Sequence, residues 1–141
     1  MSIEVQKLSK YYQEQLALDE VSFKVNSGEI VGFLGPNGAG KSTTMKIISC
    51  FIKPSSGNVL VDGVSIHENE IAVKTKIGYL PENNPLYEEM YVRESIAFIA
   101  QIHKVEDVKI SVEEVIEKVG LTKEAHKKIG QLSKGYQQRV G

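Results

Sequence analysis

The chain has 141 residues, of which 41% are hydrophobic and 25% are charged. This is enough for one globular domain with a buried core, and these proportions argue against intrinsic disorder. The net charge of −1 offers no basic surface to a polyanion, so we expect no nucleic acid among the partners.

Two further features limit the cellular setting. The single cysteine, Cys50, lies in an apolar stretch, which predicts a small buried core residue in a reducing compartment. Residues 1–5 lack the basic start and apolar centre of a signal peptide, and the apolar run at residues 30–34 is too short to cross a bilayer. We therefore expect any membrane role to come through a partner.

The chain begins with patterns typical of strands. Residues 3–8 and 21–25 alternate apolar and polar side chains, which predicts half-buried antiparallel strands. Residues 29–34 are almost continuously apolar, which predicts a strand buried on both faces.

A glycine-rich loop follows, and then mixed elements. Residues 42–51 predict a helix that ends before Pro54. Residues 59–66 predict a hairpin turning at Asp62-Gly63, and residues 77–80 predict another short strand.

The second half of the chain has helical periodicity. Apolar residues recur at helical spacing over 92–100 and again over 108–119, where Gly120 is placed as a C-terminal cap. We therefore divide the chain into a strand-rich lobe, residues 1–82, and a helical lobe, residues 83–141.

The glycine-rich loop matches the phosphate-binding pattern G-x-x-x-x-G-K-[ST] in full. Its residues are Gly35, Pro36, Asn37, Gly38, Ala39, Gly40, Lys41 and Ser42. The glycines allow backbone N–H groups to converge on phosphate oxygens, and the following helix adds the positive end of its dipole. We expect Lys41 to contact the β- and γ-phosphates and the Ser42 hydroxyl to bind Mg²⁺. The alternative is a glycine-rich turn without a ligand.

Two other phosphate-loop classes lack support. The Asn-Lys-x-Asp and Asp-x-x-Gly motifs of GTPases do not occur, and we find no second-substrate motif of a nucleoside monophosphate kinase.

Several segments together resemble the ABC ATPases. Leu132-Ser133-Lys134-Gly135-Tyr136 resembles their Leu-Ser-Gly-Gly-Gln signature. Residues 35–43, ending at Thr43, have the loop sequence that the family favours. Residues 77–87 are similar to the ABC-2 export branch, in particular to gliding-motility-type ATP-binding subunits. The resemblance covers all 141 residues. It implies an α/β fold: a P-loop NTPase core with an antiparallel β subdomain and an α-helical signature subdomain. It also implies that the chain is a partial nucleotide-binding domain, incomplete at the C-terminus.

The resemblance also implies roles for individual residues. Tyr12 would stack on adenine, with Tyr11 as the other candidate, and Thr43 would join the loop in binding ATP. Ser133 and Gly135 would contact the γ-phosphate of ATP bound by a second subunit, packed head to tail. Glu82 stands where the family usually has a glutamine that binds Mg²⁺. Lys134 and Tyr136 depart from the usual signature, and Tyr91 stands where a capping threonine is common.

The family continues beyond the signature with an Asp-Glu strand and a histidine. Residues 16–20 imitate that strand but precede the loop, so we interpret them as a turn into the strand at Val21. We interpret His67, His103 and His126 as surface imidazoles. We therefore expect no catalytic residue within this chain, weak nucleotide binding without hydrolysis, and an aggregation-prone, unpaired apolar strand at residues 29–34.

These points lead to one main functional hypothesis: the ATP-binding subunit of an ABC exporter, using ATP and Mg²⁺ and peripheral on the cytoplasmic face of the cell membrane. The helical lobe and residues 83–90 would contact a membrane-spanning subunit. Two alternatives stay open: a non-transport ABC ATPase acting on ribosomes or DNA, and a nucleotide-binding fragment without catalysis.

Overall fold

The computed structural model describes residues 1–141 and places them in two units, Met1–Tyr79 and Leu80–Gly141. The first unit contains the sheet and two helices. The second contains three helices and a 3₁₀ turn. Each unit has its own apolar core.

A four-stranded antiparallel sheet organises the first unit. Its order is β2-β1-β3-β4, with β1 at Ile3–Tyr12, β2 at Gln15–Val25, β3 at Ser56–Val61 and β4 at Val64–Ser65. The central strand β1 pairs with both long neighbours, so Ile3 lies opposite Val25 on one side and Val61 on the other.

The first two strands are longer than the alternation predicted. The prediction that residues 16–20 form a turn is wrong, because β2 already begins at Gln15. The chain reverses instead at Gln13 and Glu14, where Gln13 adopts a left-handed φ of 54°. The predicted hairpin at Asp62-Gly63 is confirmed: Asp62 (φ 47°) and Gly63 (φ 77°) both take the positive φ that a two-residue hairpin turn requires.

Helix α1, Lys41–Ile48, packs its buried residues Thr44, Ile47 and Ile48 into the first core. Helix α2, Glu70–Lys74, is short and is capped by Asn69, whose side chain accepts a hydrogen bond from the Ala72 N–H at 3.0 Å. The core also contains buried residues from three strands: Val5, Leu8, Leu18, Val59 and Val61. Cys50 is half-buried beside this core, not fully buried as predicted, and burial and Glu70 raise its thiol pKa.

Two predicted strands are wrong. Residues 29–34 form no strand, and Ile30 and Leu34 are almost fully exposed. Residues 77–80 also lack strand structure. Both segments have the composition of a strand, but no other strand pairs with them, and an unpaired strand leaves its backbone groups without hydrogen bonds. Within residues 29–34, Phe33 makes an aromatic contact with Phe23, and the two ring centroids are 5.3 Å apart.

The second unit is built from α3 at Val92–Ile102, α4 at Val108–Lys118, a 3₁₀ turn at Ile129–Gln131 and α5 at Lys134–Val140. The two predicted helices are therefore confirmed. Gly120 caps α4 with a φ of 69°, and the Leu121 N–H bonds to the Ile116 carbonyl at 2.8 Å, as in a Schellman motif. At the start of α3, Glu94 accepts from the Tyr91 N–H, whereas the Tyr91 side chain caps nothing.

No helix combines the length and the apolar character needed to cross a lipid bilayer.

Candidate functional site

The glycine-rich loop leads directly into α1, and its conformation depends on two glycines. Gly38 has a φ of 84° and Gly40 a φ of 80°, both in the left-handed region that side chains disfavour. Inside the loop the Ala39 N–H bonds to the Pro36 carbonyl at 3.2 Å. At its end, the Thr44 N–H and hydroxyl both donate to the Gly40 carbonyl. The loop is therefore fixed at its junction with the helix.

Gly40 also lies directly against strand β2. A Cβ atom at this position would meet the Ala17 carbonyl oxygen at 2.6 Å and would overlap the Leu18 Cδ2 atom even more closely. A Cβ at Gly38 would meet nothing within 4 Å. The sequence motif requires both glycines equally, but only the structure shows that Gly40 joins the loop to the sheet.

Lys41 directs its ammonium group back over the loop. Its Nζ atom donates to the Gly35 carbonyl at 2.7 Å and to the Pro36 carbonyl at 2.6 Å. Residues 36–39 and Ser42 are exposed. No side chain caps the N-terminus of α1, and its first turn carries no acidic residue. Free N–H groups, a helix dipole and one ammonium group converge here, which is an arrangement suited to a phosphate anion.

The two tyrosines lie at the end of β1, with Tyr12 paired to Gln15 in the register of β2. Both are about half exposed, Tyr11 at 50% and Tyr12 at 46%. Gln15 precedes Ala17, the residue that contacts Gly40, by two positions. At the usual strand rise this corresponds to about 7 Å along β2. The turn end of the hairpin thus lies near the loop.

For Mg²⁺, the predicted ligands were Ser42 and Glu82. The Ser42 hydroxyl is exposed in the first turn of α1, which suits a hard cation bridged to phosphate oxygens. Glu82 is exposed and lies in the second unit. No cluster of three or more His, Cys, Asp or Glu side chains could hold a metal ion. Ser42 therefore fits a magnesium ion that takes most of its ligands from nucleotide and water.

The signature residues are on the surface of the second unit. Ser133 is the N-cap of α5 by position, with φ −63° and ψ 156°, but its hydroxyl makes no capping hydrogen bond. Ser133, Lys134 and Gly135 are all exposed, and a Cβ at Gly135 would meet nothing within 4 Å. Tyr136 turns toward Arg139, whose guanidinium lies 5.2 Å from the ring centroid.

A backbone ladder that the sequence did not predict leads into the signature. The Ile129 N–H bonds to the Met90 carbonyl and the Gly130 N–H to the Glu88 carbonyl, both at 2.9 Å. A Cβ at Gly130 would lie 3.3 Å from the Glu88 backbone oxygen, so glycine permits this close approach. Beside the ladder, Lys128 donates to Glu89 at 2.8 Å and holds the pKa of that carboxyl below its usual range. Nothing in the local pattern signals such pairing between segments about forty residues apart.

Comparison with known proteins gives consistent matches. A family model described as ABC transporter matches residues 18–141. The bacitracin transport ATP-binding protein BcrA of Bacillus licheniformis is 37% identical over 142 residues, covering 99% of this chain and 45% of the relative. The SkfA peptide export ATP-binding protein SkfE of Bacillus subtilis is 37% identical over 140 residues, covering 98% of this chain and 58% of the relative.

A solved structure also matches the chain. The dimeric post-hydrolysis state of the ATP-binding cassette MJ0796, bound to ADP and Pi, superposes with a TM-score of 0.85 at 27% identity. The match covers 98% of this chain and 66% of the solved one. The chain spans about half the length of the curated relatives it matches.

Proposed function

The chain belongs to the ABC transporter family, and on that premise we propose that it is the ATP-binding part of a subunit that couples ATP binding and hydrolysis to transport by a separate membrane-spanning subunit. The observation that carries this proposal is the exposed loop before α1, where Lys41 and uncapped helix N–H groups converge. The name of SkfE, which refers to peptide export, favours the export direction, and the name of BcrA, which refers to bacitracin transport, favours a transport role.

The loop would hold the triphosphate through its main chain and Lys41. The Lys41 ammonium already lies over Gly35 and Pro36, so it needs only to exchange carbonyl oxygens for phosphate oxygens. Ser42 and Thr43 follow in the first turn of α1, where the helix dipole favours negative charge. Mg²⁺, when bound, neutralises charge on the β- and γ-phosphates, and Ser42 is the side chain that would hold it there. Tyr12 would stack on adenine.

The second subunit would be another copy packed head to tail, so that Ser133 and Gly135 meet the γ-phosphate bound by the partner. Their exposure supports this proposal, because a site that acts on a neighbouring molecule must be open to it. The dimeric arrangement named for the MJ0796 cassette, with ADP and Pi bound, supports it as well.

The membrane-spanning subunit would contact residues 83–90 and α3. Tyr87 and Phe98 are exposed here and pack edge to face with centroids 6.4 Å apart, and Ile102 extends the apolar surface one turn further. An apolar patch of this kind is typical of a protein-binding surface. The domain would thus work peripherally, on the cytoplasmic face of the cell membrane.

The ladder between residues 88–90 and 129–130 offers a route from that contact to the signature. Because Gly130 is hydrogen-bonded to Glu88 and lies three residues before Ser133, a shift of the partner-facing segment would displace the chain that leads into α5. The Gln137 side chain also donates to the Ile129 carbonyl at 3.2 Å, which ties α5 itself to the ladder.

The test is a titration of Mg·ATP into the ¹⁵N-labelled chain. We expect the amide resonances of residues 34–43 to shift, and we expect Lys41→Ala to abolish the shift. Lys46→Ala is the matched control, since it removes a lysine from the last turn of the same helix and should bind like the unmodified chain. Amide resonances in the loop that stay unmoved at millimolar Mg·ATP would overturn the proposed function.

A further inference from the structure

One face of the Tyr12 ring is already occupied. The Lys10 ammonium lies 5.4 Å from the Tyr12 ring centroid, which is within the range of a cation–π interaction. Tyr12 keeps 46% of its surface exposed. The tyrosine therefore offers solvent the part of its surface that the lysine does not cover.

The lysine is itself held in place. Its Nζ atom donates to the Lys53 carbonyl at 2.7 Å, in the segment that joins α1 to β3. No carboxylate forms a salt bridge with Lys10. The ammonium is thus anchored by a neutral acceptor, and its charge remains available to the aromatic ring.

We propose that Lys10 is a positioning residue for the base of the bound nucleotide: it holds the Tyr12 ring by one face so that the other face stacks on a purine. This inference rests on the proposed function, which places the adenine on Tyr12. Fixing the ring before binding lowers the side-chain entropy that is lost when the base stacks. The cation also draws electron density from the ring, which favours stacking with an electron-rich base on the opposite face.

The expected effect is modest and specific to the base. An exposed cation–π contact contributes about 0.5–1 kcal/mol, so its loss should weaken Mg·ATP binding about 2- to 5-fold. Binding of Mg·tripolyphosphate, which has no base, should not change. A lysine that acted through long-range attraction to phosphate would weaken both ligands equally.

The experiment measures the affinity of the whole chain for Mg·ATP and Mg·tripolyphosphate by calorimetry. Lys10→Met keeps the aliphatic length of the side chain and removes its charge, whereas Lys10→Arg keeps the cation. We expect Lys10→Met to weaken only Mg·ATP, and Lys10→Arg to restore it. Lys53→Met is the matched control, because only the Lys53 carbonyl takes part and that group remains.

A second measurement isolates Tyr12. In a Tyr12→Ala background, Lys10→Met should have no further effect on either ligand. Tyr12→Trp gives the chain its only tryptophan, so its emission should be quenched by Mg·ATP and not by Mg·tripolyphosphate. Lys10→Met should reduce that quenching at a fixed ATP concentration.

Three results would overturn the inference alone: unchanged Mg·ATP affinity in Lys10→Met, equal weakening of both ligands by Lys10→Met, or an undiminished effect of Lys10→Met on Mg·ATP in the Tyr12→Ala background. Failure of the unmodified chain to bind either ligand would instead overturn the proposed function, and this inference with it.

Discussion

Gly40 is the residue at which a single methyl group should do most damage to the loop. Gly40→Ala places a side chain at φ 80°, which costs about 1–2 kcal/mol for an L-residue. The new methyl would also lie 2.6 Å from the Ala17 carbonyl oxygen and against Leu18, and overpacking of this kind costs about 1–3 kcal/mol. We therefore expect Gly40→Ala to lower the free energy of unfolding of the first unit by about 2–5 kcal/mol.

Gly38→Ala is the matched control, because it shares the left-handed backbone but not the contact. Gly38 has a φ of 84°, and a Cβ there meets nothing within 4 Å. Gly38→Ala should therefore lower the free energy of unfolding by only about 1–2 kcal/mol. Urea unfolding followed by far-ultraviolet circular dichroism measures both variants. Leu18→Ala should cost less in the Gly40→Ala background than alone, because it removes one of the two clashes. Equal destabilisation by Gly40→Ala and Gly38→Ala would refute the contact with β2.

Three further predictions concern the chain as a whole. The purified 141-residue chain should hydrolyse no ATP above a Lys41→Ala control in a phosphate-release assay, and steady turnover above that control would contradict this expectation. The exposed apolar segment at residues 29–34 should cause the chain to self-associate. The double variant Ile30→Lys, Leu34→Lys should self-associate less in analytical ultracentrifugation, and an unmodified chain that is monodisperse and melts cooperatively would count against this prediction. Asp62 has a lowered pKa, chiefly because its carboxylate accepts a hydrogen bond from the Ser2 N–H. Its stabilising contribution is therefore present above its unfolded pKa of about 3.9 and is lost as the pH falls through the lower folded value. Asp62→Asn should flatten the acid side of the stability profile between about pH 2 and 5, and an unchanged profile of urea midpoints would refute this.

Local patterns predicted those elements whose stability is mostly local. The hairpin at Asp62-Gly63 and the helical spacing after residue 92 both correspond to elements in the structure. The alternation over residues 3–8 also corresponds to a strand, although β1 depends on pairing with β2 and with the distant β3. The loop motif is similarly local, because its glycines, lysine and hydroxyl lie within eight consecutive residues. That those residues bind nucleotide in the predicted roles remains a prediction.

The errors fall where an element depends on a partner elsewhere in the chain. Residues 29–34 have the apolar composition of a buried strand, but a strand forms only when another strand accepts its hydrogen bonds, and composition does not supply one. The start of β2 was misplaced for a different reason. The turn at Gln13 and Glu14 contains no glycine, proline or asparagine, which are the residues that usually mark a reversal.

The contact between Gly40 and β2 also separates two parts of nucleotide recognition. In the proposed function, the loop and Lys41 would bind any polyphosphate, because main-chain N–H groups and an ammonium group interact with its charge and not with the base. In the proposed function, recognition of the base would belong to Tyr12, at the turn end of the hairpin whose second strand is packed on Gly40. Because Gly40 belongs to the loop, a methyl group there would disturb the phosphate site and would also push it away from the base site. It follows that Gly40→Ala should weaken Mg·ATP more than Mg·tripolyphosphate, whereas Lys41→Ala should weaken both ligands to the same degree.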